Sequence, residues 1–204
     1  MNIQVIKQII CAIRKQTERQ IAVGKRDQIL NERFFHHSFS SKIAKWYERQ
    51  GQDLWDELLL IPECPTCEKF RLDSITLEDV AHTRENAIGV GQSGNLDFAL
   101  RTNPEIVVEW KGPVLFSKKD AVEVFLKLLT QPVESIKVFA AIITSSTTGR
   151  RDHVEKLRQN FRRSLHFAMQ VCQLDPLKDH NLYAFVTTLP DARAIDVHWG
   201  PVVN

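Results

Sequence analysis

The chain is poor in the features that mark secreted, membrane or strongly basic proteins. Its 204 residues include four cysteines, too few and too scattered for a disulfide framework. No apolar run approaches the roughly 20 residues that cross a bilayer, and the N-terminus lacks the apolar core of a signal peptide. The net charge is only +2, so any basic surface must be local. We therefore expect a soluble, cytoplasmic protein without a membrane partner.

Hydrophobic residues make up 43% of the chain, which is enough for one sizeable core. Near the N-terminus, isoleucines spaced three and four residues apart predict an amphipathic helix that ends at about residue 23. A second helix is predicted over about 27–50, and Glu32 falls on its apolar side. This pattern indicates a helical extension over 1–24 ahead of a main domain over 25–204.

Two alternating apolar runs separated by a short turn, 94–100 and 107–112, predict an antiparallel strand pair. Glu109 and Lys111 share one face, because successive side chains of a strand point to opposite faces. Asp97 is the one acid in the apolar run of the partner strand. Charges that converge on a buried sheet are costly unless they are paired or bind a metal. The pair therefore predicts a site for a divalent cation.

Asp97 followed by Glu109-x-Lys111 on a strand–turn–strand unit resembles the motif of the PD-(D/E)XK nuclease superfamily, which has the restriction-endonuclease-like fold. Leu96 stands where that motif has proline, but Asp97 rather than its neighbour would bind the metal. The resemblance covers roughly residues 27–190. It implies an α/β architecture in which helices flank a central mixed sheet, with 1–24 as an N-terminal helical extension.

The order of the predicted elements agrees with that fold: helix, strands, helix, strand, helix, strand. After the strand pair, the sequence predicts helices over 117–130 and 152–172 and strands over 138–143 and 182–186. We expect residues 51–75 to be irregular and one strand to lie between Ile75 and Val90. A turn at Pro190 and a short tail are expected to close the chain.

The resemblance implies that the protein hydrolyses phosphodiester bonds in DNA with the help of Mg²⁺ or Mn²⁺. Asp97 and Glu109 would supply carboxylate ligands, the main-chain carbonyl of Trp110 a further oxygen, and Glu32 would complete the shell. Lys111 would orient the attacking water or neutralise the phosphate. The expected catalytic residues are therefore Asp97, Glu109, Lys111 and Glu32.

Basic residues are densest around the predicted helix 152–172. The candidates for contact with DNA phosphates are Arg150, Arg151, Arg158 and Arg162, which would position DNA without reading its sequence. The alternative is an ordinary solvated helix face.

Cys64-x-x-Cys67 is half of a zinc site or a redox pair, since Zn²⁺ in proteins takes four ligands. The other candidate ligands are remote in sequence: His36, His37, His82 or a second chain. We therefore favour plain loop cysteines over zinc. His36 and His37 are adjacent and face different directions, so we interpret them as packing or solvent residues rather than joint ligands.

Taken together, the residues and the resemblance predict a metal-dependent DNA endonuclease, in restriction or another defence against foreign DNA. Two alternatives stay open: a non-catalytic DNA-binding or assembly module of the same fold, and a junction-resolvase or transposon-end nuclease. A double-strand cut needs two active sites, so we expect a homodimer. The isoleucine stripe of residues 1–22 is its expected interface, and the competing interpretation packs that helix on its own core.

Overall fold

The computed structural model describes residues 1–23, 32–55, 57–112, 117–144, 151–178, 180–189 and 193–199. Its helices are α1 (Ile3–Ala22), α2 (Glu32–Glu48), α3 (Val80–Ala87), α4 (Lys118–Leu129) and α5 (Arg151–Val171). Its strands are β1 (Leu60–Phe70), β2 (Gln92–Leu100), β3 (Ile106–Lys111), β4 (Ile136–Thr144), β5 (Leu182–Leu189) and β6 (Arg193–Trp199). A short 3-10 turn, Leu72–Ser74, lies between β1 and α3.

The six strands form one mixed sheet whose spatial order follows the chain order. β1, β2 and β3 are an antiparallel meander. β4 and β5 each run parallel to the strand before them, and β6 returns antiparallel to β5. A parallel neighbour needs a crossover connection, which α4 supplies between β3 and β4 and α5 between β4 and β5. The predicted α/β architecture with a central mixed sheet is confirmed.

Helices cover both faces of the sheet and create two hydrophobic cores. Val108 and Val138 lie in the core under α1 and α2, whereas their chain neighbours Val107 and Phe139 lie in the core under α4 and α5. This separation follows from the alternation of side chains along a strand. None of the helices in the described ranges has both the length and the apolar character of a bilayer-spanning segment.

Local sequence signals explain where several helices begin. Ser117 caps α4 as predicted: its hydroxyl accepts a hydrogen bond from the backbone of Asp120, whose carboxylate accepts one from the backbone of Ser117. Asn2 caps α1 in the same sense, by accepting from the backbone N–H groups of residues 4 and 5.

The isoleucine stripe of α1 is buried by its own chain. Ile6, Ile10 and Ile13 belong to the same core as Phe35 of α2 and Val108 of β3. Of the two interpretations of this stripe, the structure therefore shows the one that packs α1 on its own core. The homodimer stays a prediction, but this stripe no longer provides its interface.

The expectation that residues 51–75 are irregular was wrong for β1. This strand occupies an edge of the sheet, which is where proline is tolerated in strands, and it contains Pro62 and Pro65. Its register with β2 shifts between Pro65 and Lys69, so it lacks the regular alternation that marks a strand. Cys64 and Cys67 consequently lie in a strand rather than a loop.

Two further elements differ from the sequence prediction. The segment between Ile75 and Val90 holds the helix α3 instead of a strand, and the side chain of Asp79 caps it by accepting from the backbone of His82. The expected tail contains β6, which pairs with β5 along its length. Ile195, Val197 and Trp199 alternate with other residues in the way expected of a strand.

Candidate metal centre

Two neighbouring strands place Asp97 and Glu109 side by side at the point where their regular pairing ends. The last pair in the ladder between β2 and β3 joins Phe98 to Val108, one residue before each of these acids. Beyond it, the backbone N–H of Asp97 donates to Oε2 of Glu109 at 3.3 Å, and the backbone N–H of Trp110 donates to Oδ2 of Asp97. Each carboxylate thus accepts a main-chain hydrogen bond from the opposite strand, which fixes both side chains against the sheet.

Glu109 is fully buried and is held by two lysines. Its Oε1 lies 2.9 Å from Nζ of Lys127 on α4 and 3.4 Å from Nζ of Lys111. Burial and the charge of Asp97 raise the pKa of Glu109, whereas the two ammonium groups oppose that rise. The lysines are what a buried carboxylate requires in order to stay charged.

Lys111 joins the sheet to α2. Its Nζ lies 3.1 Å from Oε1 of Glu32 as well as beside Glu109. Burial by itself would lower the pKa of Lys111, but the negative charges of Glu109, Asp97 and Glu32 outweigh it and raise the pKa to about 12. At neutral pH this side chain is therefore a fixed cation and cannot accept a proton.

Helix α2 contributes two residues, Glu32 and His36, that lie one turn apart on the same face. Nε2 of His36 lies 3.8 Å from Oε1 of Glu32 and 3.5 Å from Oδ2 of Asp97. The ring packs edge-on against Phe98, with 5.4 Å between centroids. Burial alone would lower the pKa of His36, but the charges of Asp97 and Glu32 raise it.

Glu32, His36 and Asp97 fit a divalent cation. Within the described residues they are the one group of His, Cys, Asp and Glu side chains that could hold a metal, with ligand atoms within 4.8 Å of one another. Nε2 of His36 is buried and makes no hydrogen bond within the described residues, although it lies 3.5 Å from Asp97 and 3.8 Å from Glu32. It would have to be deprotonated to bind a metal. Carboxylates suit Mg²⁺ and Mn²⁺, and an added imidazole favours Mn²⁺ over the harder Mg²⁺.

The predicted site residues come together only in part. Asp97, Glu109, Lys111 and Glu32 converge, but the oxygens of Glu109 are engaged by lysines and a backbone N–H. The indole of Trp110 packs behind the site against Phe35 and Phe39; the role of its carbonyl stays a prediction.

The structure describes the side chain of only one of the predicted DNA-contacting arginines, Arg162. Arg150 and the side chains of Arg151 and Arg158 lie outside the described residues. Arg162 is exposed on α5, so its side chain is accessible to a partner. The proposed contact with phosphates stays a prediction.

Two residues of the site were missed by sequence reasoning. His36 was interpreted as a packing or solvent residue; the available signal was its spacing of four from Glu32, which puts both on one helix face. Its neighbour His37 is exposed and takes no part. Lys127 had no sequence signal, because only the crossover of α4 brings it to β3.

Comparison with known proteins does not assign a family, since no family model, no curated protein and no solved structure matches the chain. Function has to be argued from the site itself. The site combines Glu32, His36 and Asp97, which could hold a cation, with a positively charged Lys111. Such an arrangement is suited to a reaction in which negative charge develops on phosphate oxygens.

Proposed function

We propose that this chain is a metal-dependent DNA endonuclease with a restriction-endonuclease-like core. The observation that carries the proposal is the convergence of Asp97, Glu109 and Lys111 from two adjacent strands on Glu32 and His36 of α2. In sequence these residues span 79 positions between Glu32 and Lys111. A chance surface ion pair would not explain a fully buried acid at their centre.

The order of elements supports the proposed core. A helix, an antiparallel meander, a crossover helix and a parallel strand follow one another from α2 to β4. The candidate residues lie where the resemblance expects them: Asp97 on the second strand of the meander, and Glu109 and Lys111 on the third.

In the proposed reaction, Glu32, His36 and Asp97 hold the cation. When bound, Mg²⁺ or Mn²⁺ would acidify a water molecule and polarise a phosphoryl oxygen. Lys111 would neutralise charge that builds on the phosphate, since its pKa of about 12 keeps it protonated. Glu109, which contacts Lys111 and Lys127, would keep both ammonium groups in place beside Asp97.

DNA is the proposed partner, and a homodimer is the proposed assembly. DNA phosphates would be contacted by Arg162 and by Arg150, Arg151 and Arg158. Cutting both strands of a duplex would use a homodimer. Replacing Arg162 with Ala should then weaken binding of all sequences alike and lower the salt slope by about one unit.

The test is cleavage of plasmid, linear, single-stranded and four-way-junction DNA in Mg²⁺, in Mn²⁺ and in EDTA. We expect cleavage with either metal, stronger with Mn²⁺, and none in EDTA or in Asp97→Ala. Cleavage that survives in Asp97→Ala with the fold intact by circular dichroism would reject the site. Binding without cleavage of any substrate would favour a non-catalytic module, and cutting confined to junctions would favour a resolvase.

A further inference from the structure

A groove with basic and aromatic walls runs along the outer side of the α1–α2 layer. It has a volume of about 430 Å³ and is lined by Val5, Gln8, Ile9 and Ala12 of α1, by Lys42, Lys45 and Trp46 of α2, and by Arg49 directly after α2. We call it the Trp46 groove. It shares no residue with the metal centre, so the proposed reaction does not account for it.

The cations of the Trp46 groove have no ion-pair partner among the described residues. Lys42 and Lys45 of α2 and Arg49 directly after it are spaced three and four residues apart. Because the backbone N–H of Arg49 still donates to the carbonyl of Lys45, the three lie on one side of the helix. Within the described part of the chain none of the three forms an ion pair, and no acidic residue lines the groove. Three unpaired cations along one groove attract an extended anion rather than a single charged group.

The α1 wall of the groove is mostly apolar, and the α2 wall adds an indole among its cations. Trp46 is half-buried, with its ring edge-on to Tyr47 at 5.0 Å, and it faces the groove beside Val5, Ile9 and Ala12. An aromatic face between cations is the arrangement on which proteins stack the bases of single-stranded nucleic acids.

A second groove continues on the other side of Lys45. Its volume is about 480 Å³, and it is lined by Lys45 and by Trp55, whose surface is 54% exposed. Glu48 and Asp53 also line it, so it is less basic than the Trp46 groove. Lys45 thus lines both grooves, one with Trp46 and the other with Trp55.

We propose that the Trp46 groove binds a single-stranded segment of nucleic acid. Lys42, Lys45 and Arg49 contact its phosphates, and a base stacks on Trp46. The choice of nucleic acid rests on the proposed nuclease function. A duplex would hide its bases and leave the indole unused, and a flat anionic membrane would not enter a concave groove.

The groove and the metal centre lie on different sides of α2. His36 faces the sheet and contacts Phe98, whereas Lys45 is exposed, and nine residues of helix separate them by about 14 Å along the axis. The nucleotide held in the groove is therefore not the one at which the strand is cut. It belongs to a flanking or displaced segment that adds affinity and orients the substrate.

The test measures binding of a fluorescein-labelled 30-nucleotide oligothymidylate by anisotropy in EDTA, where no cleavage takes place. Lys45→Glu and Arg49→Glu should each weaken binding at least about fivefold and lower the salt slope by about 0.7 or more. Trp46→Leu should weaken binding about fivefold with an unchanged slope, because it removes stacking but no charge. Lys178→Glu, the same charge change at another exposed lysine, should stay within about twofold of wild type.

Three results would overturn the proposal: no binding by the wild type, wild-type affinity in Lys45→Glu and Trp46→Leu, or equal competition by poly-glutamate or phosphatidylserine vesicles of the same charge concentration. Equal competition by poly-glutamate would indicate an acidic protein as the partner, and equal competition by the vesicles would indicate a membrane. Plasmid cleavage in Mn²⁺ separates this proposal from the proposed function. Cleavage with no effect of the groove variants on binding rejects only the groove, and groove-dependent binding without cleavage rejects only the nuclease activity.

Discussion

Glu109 lies at the centre of the site. It is fully buried and contacts two lysines. Lys127 is closer to it than Lys111, at 2.9 Å against 3.4 Å, and also donates to the backbone carbonyl of Asn95 at 3.1 Å. The side chain of Lys127 is 15% exposed, whereas that of Lys111 is 28% exposed. Lys127 therefore acts mainly as the structural counter-ion of Glu109, whereas Lys111 is the more accessible of the two cations.

Replacing Lys127 with Met should lower the free energy of unfolding by about 3 kcal/mol, because it leaves a buried carboxylate short of its closest cation. Lys111→Met should cost clearly less, since that lysine is farther away and better solvated. In the Glu109→Gln background the Lys127→Met change should cost little, because no buried charge remains. Urea unfolding of the four proteins measures these values. Equal losses for both lysines would contradict the division of roles.

A second prediction for a single residue concerns His36 and the affinity for metal ions. If His36 supplies a nitrogen ligand, His36→Ala should weaken Mn²⁺ binding at least about tenfold and Mg²⁺ binding much less. His37→Ala is the matched control, because His37 is exposed and does not contact the site. Isothermal titration calorimetry gives both constants. Unchanged Mn²⁺ affinity in His36→Ala would exclude it as a ligand.

The part of the site that could be predicted from sequence is the part set by local periodicity. Strand alternation put Glu109 and Lys111 on one face, and the turn between two strands brought Asp97 opposite. The engagement of Glu109 by Lys127 could not be predicted, because it depends on how α4 crosses the sheet. Whether a carboxylate is free or paired with lysine is a property of the packed structure.

Helices and strands with regular apolar spacing over a long segment were predicted, whereas β1 and α3, which lack it, and β6, whose alternation covers only three apolar positions, were missed. α1, α4 and β4 have such spacing or continuous apolar runs. β1 was missed because two prolines and a register shift interrupt its alternation. α3 was missed because eight residues with only Thr83 and Ala87 buried carry little periodicity. Edge and short elements are specified by their neighbours more than by their own sequence.

Gly112, directly after β3, lies where β3 and β4 pack closely together. A Cβ at this position would lie 2.6 Å from the carbonyl oxygen of Ile142 on β4 and 3.3 Å from the ring of Phe35. Gly112→Ala should therefore push the end of β3 away from β4 and lower the free energy of unfolding by about 2 kcal/mol. Gly94→Ala is the control, since its nearest contacts of 3.4 Å are ordinary ones.

Thermal and urea unfolding measure both glycine variants. Gly94→Ala should stay close to wild type or gain slightly, because alanine restricts the unfolded chain. Because Gly112 follows Lys111, its substitution should also weaken Mn²⁺ binding, which calorimetry would detect. A Gly112→Ala protein as stable as Gly94→Ala would mean that the strands adjust without cost.

On the scale of the whole molecule, the two helical layers are not equivalent. α4 and α5 are the crossover helices that a parallel sheet requires, whereas α1 is an addition that covers the opposite face together with α2. Without α1, the apolar sheet residues beneath it would be open to water, and an exposed apolar face of this kind leads to association. The helix thus completes a core within the chain.

The final prediction separates a core role of α1 from an interface role. Ile13 is fully buried, so Ile13→Ala should lower the free energy of unfolding by about 2–4 kcal/mol. If α1 belongs to the core of its own chain, this loss is the same at every protein concentration. If the stripe joined two copies, stability would rise with protein concentration in the wild type, and the variant would lose that rise.

Gln8→Ala, at an exposed position on α1, is the control and should change neither quantity. Urea unfolding over a hundredfold range of concentration, together with light scattering, measures both. We expect Ile13→Ala to lose the same free energy of unfolding at every protein concentration. Folded Ile13→Ala should have the same oligomeric state as the wild type.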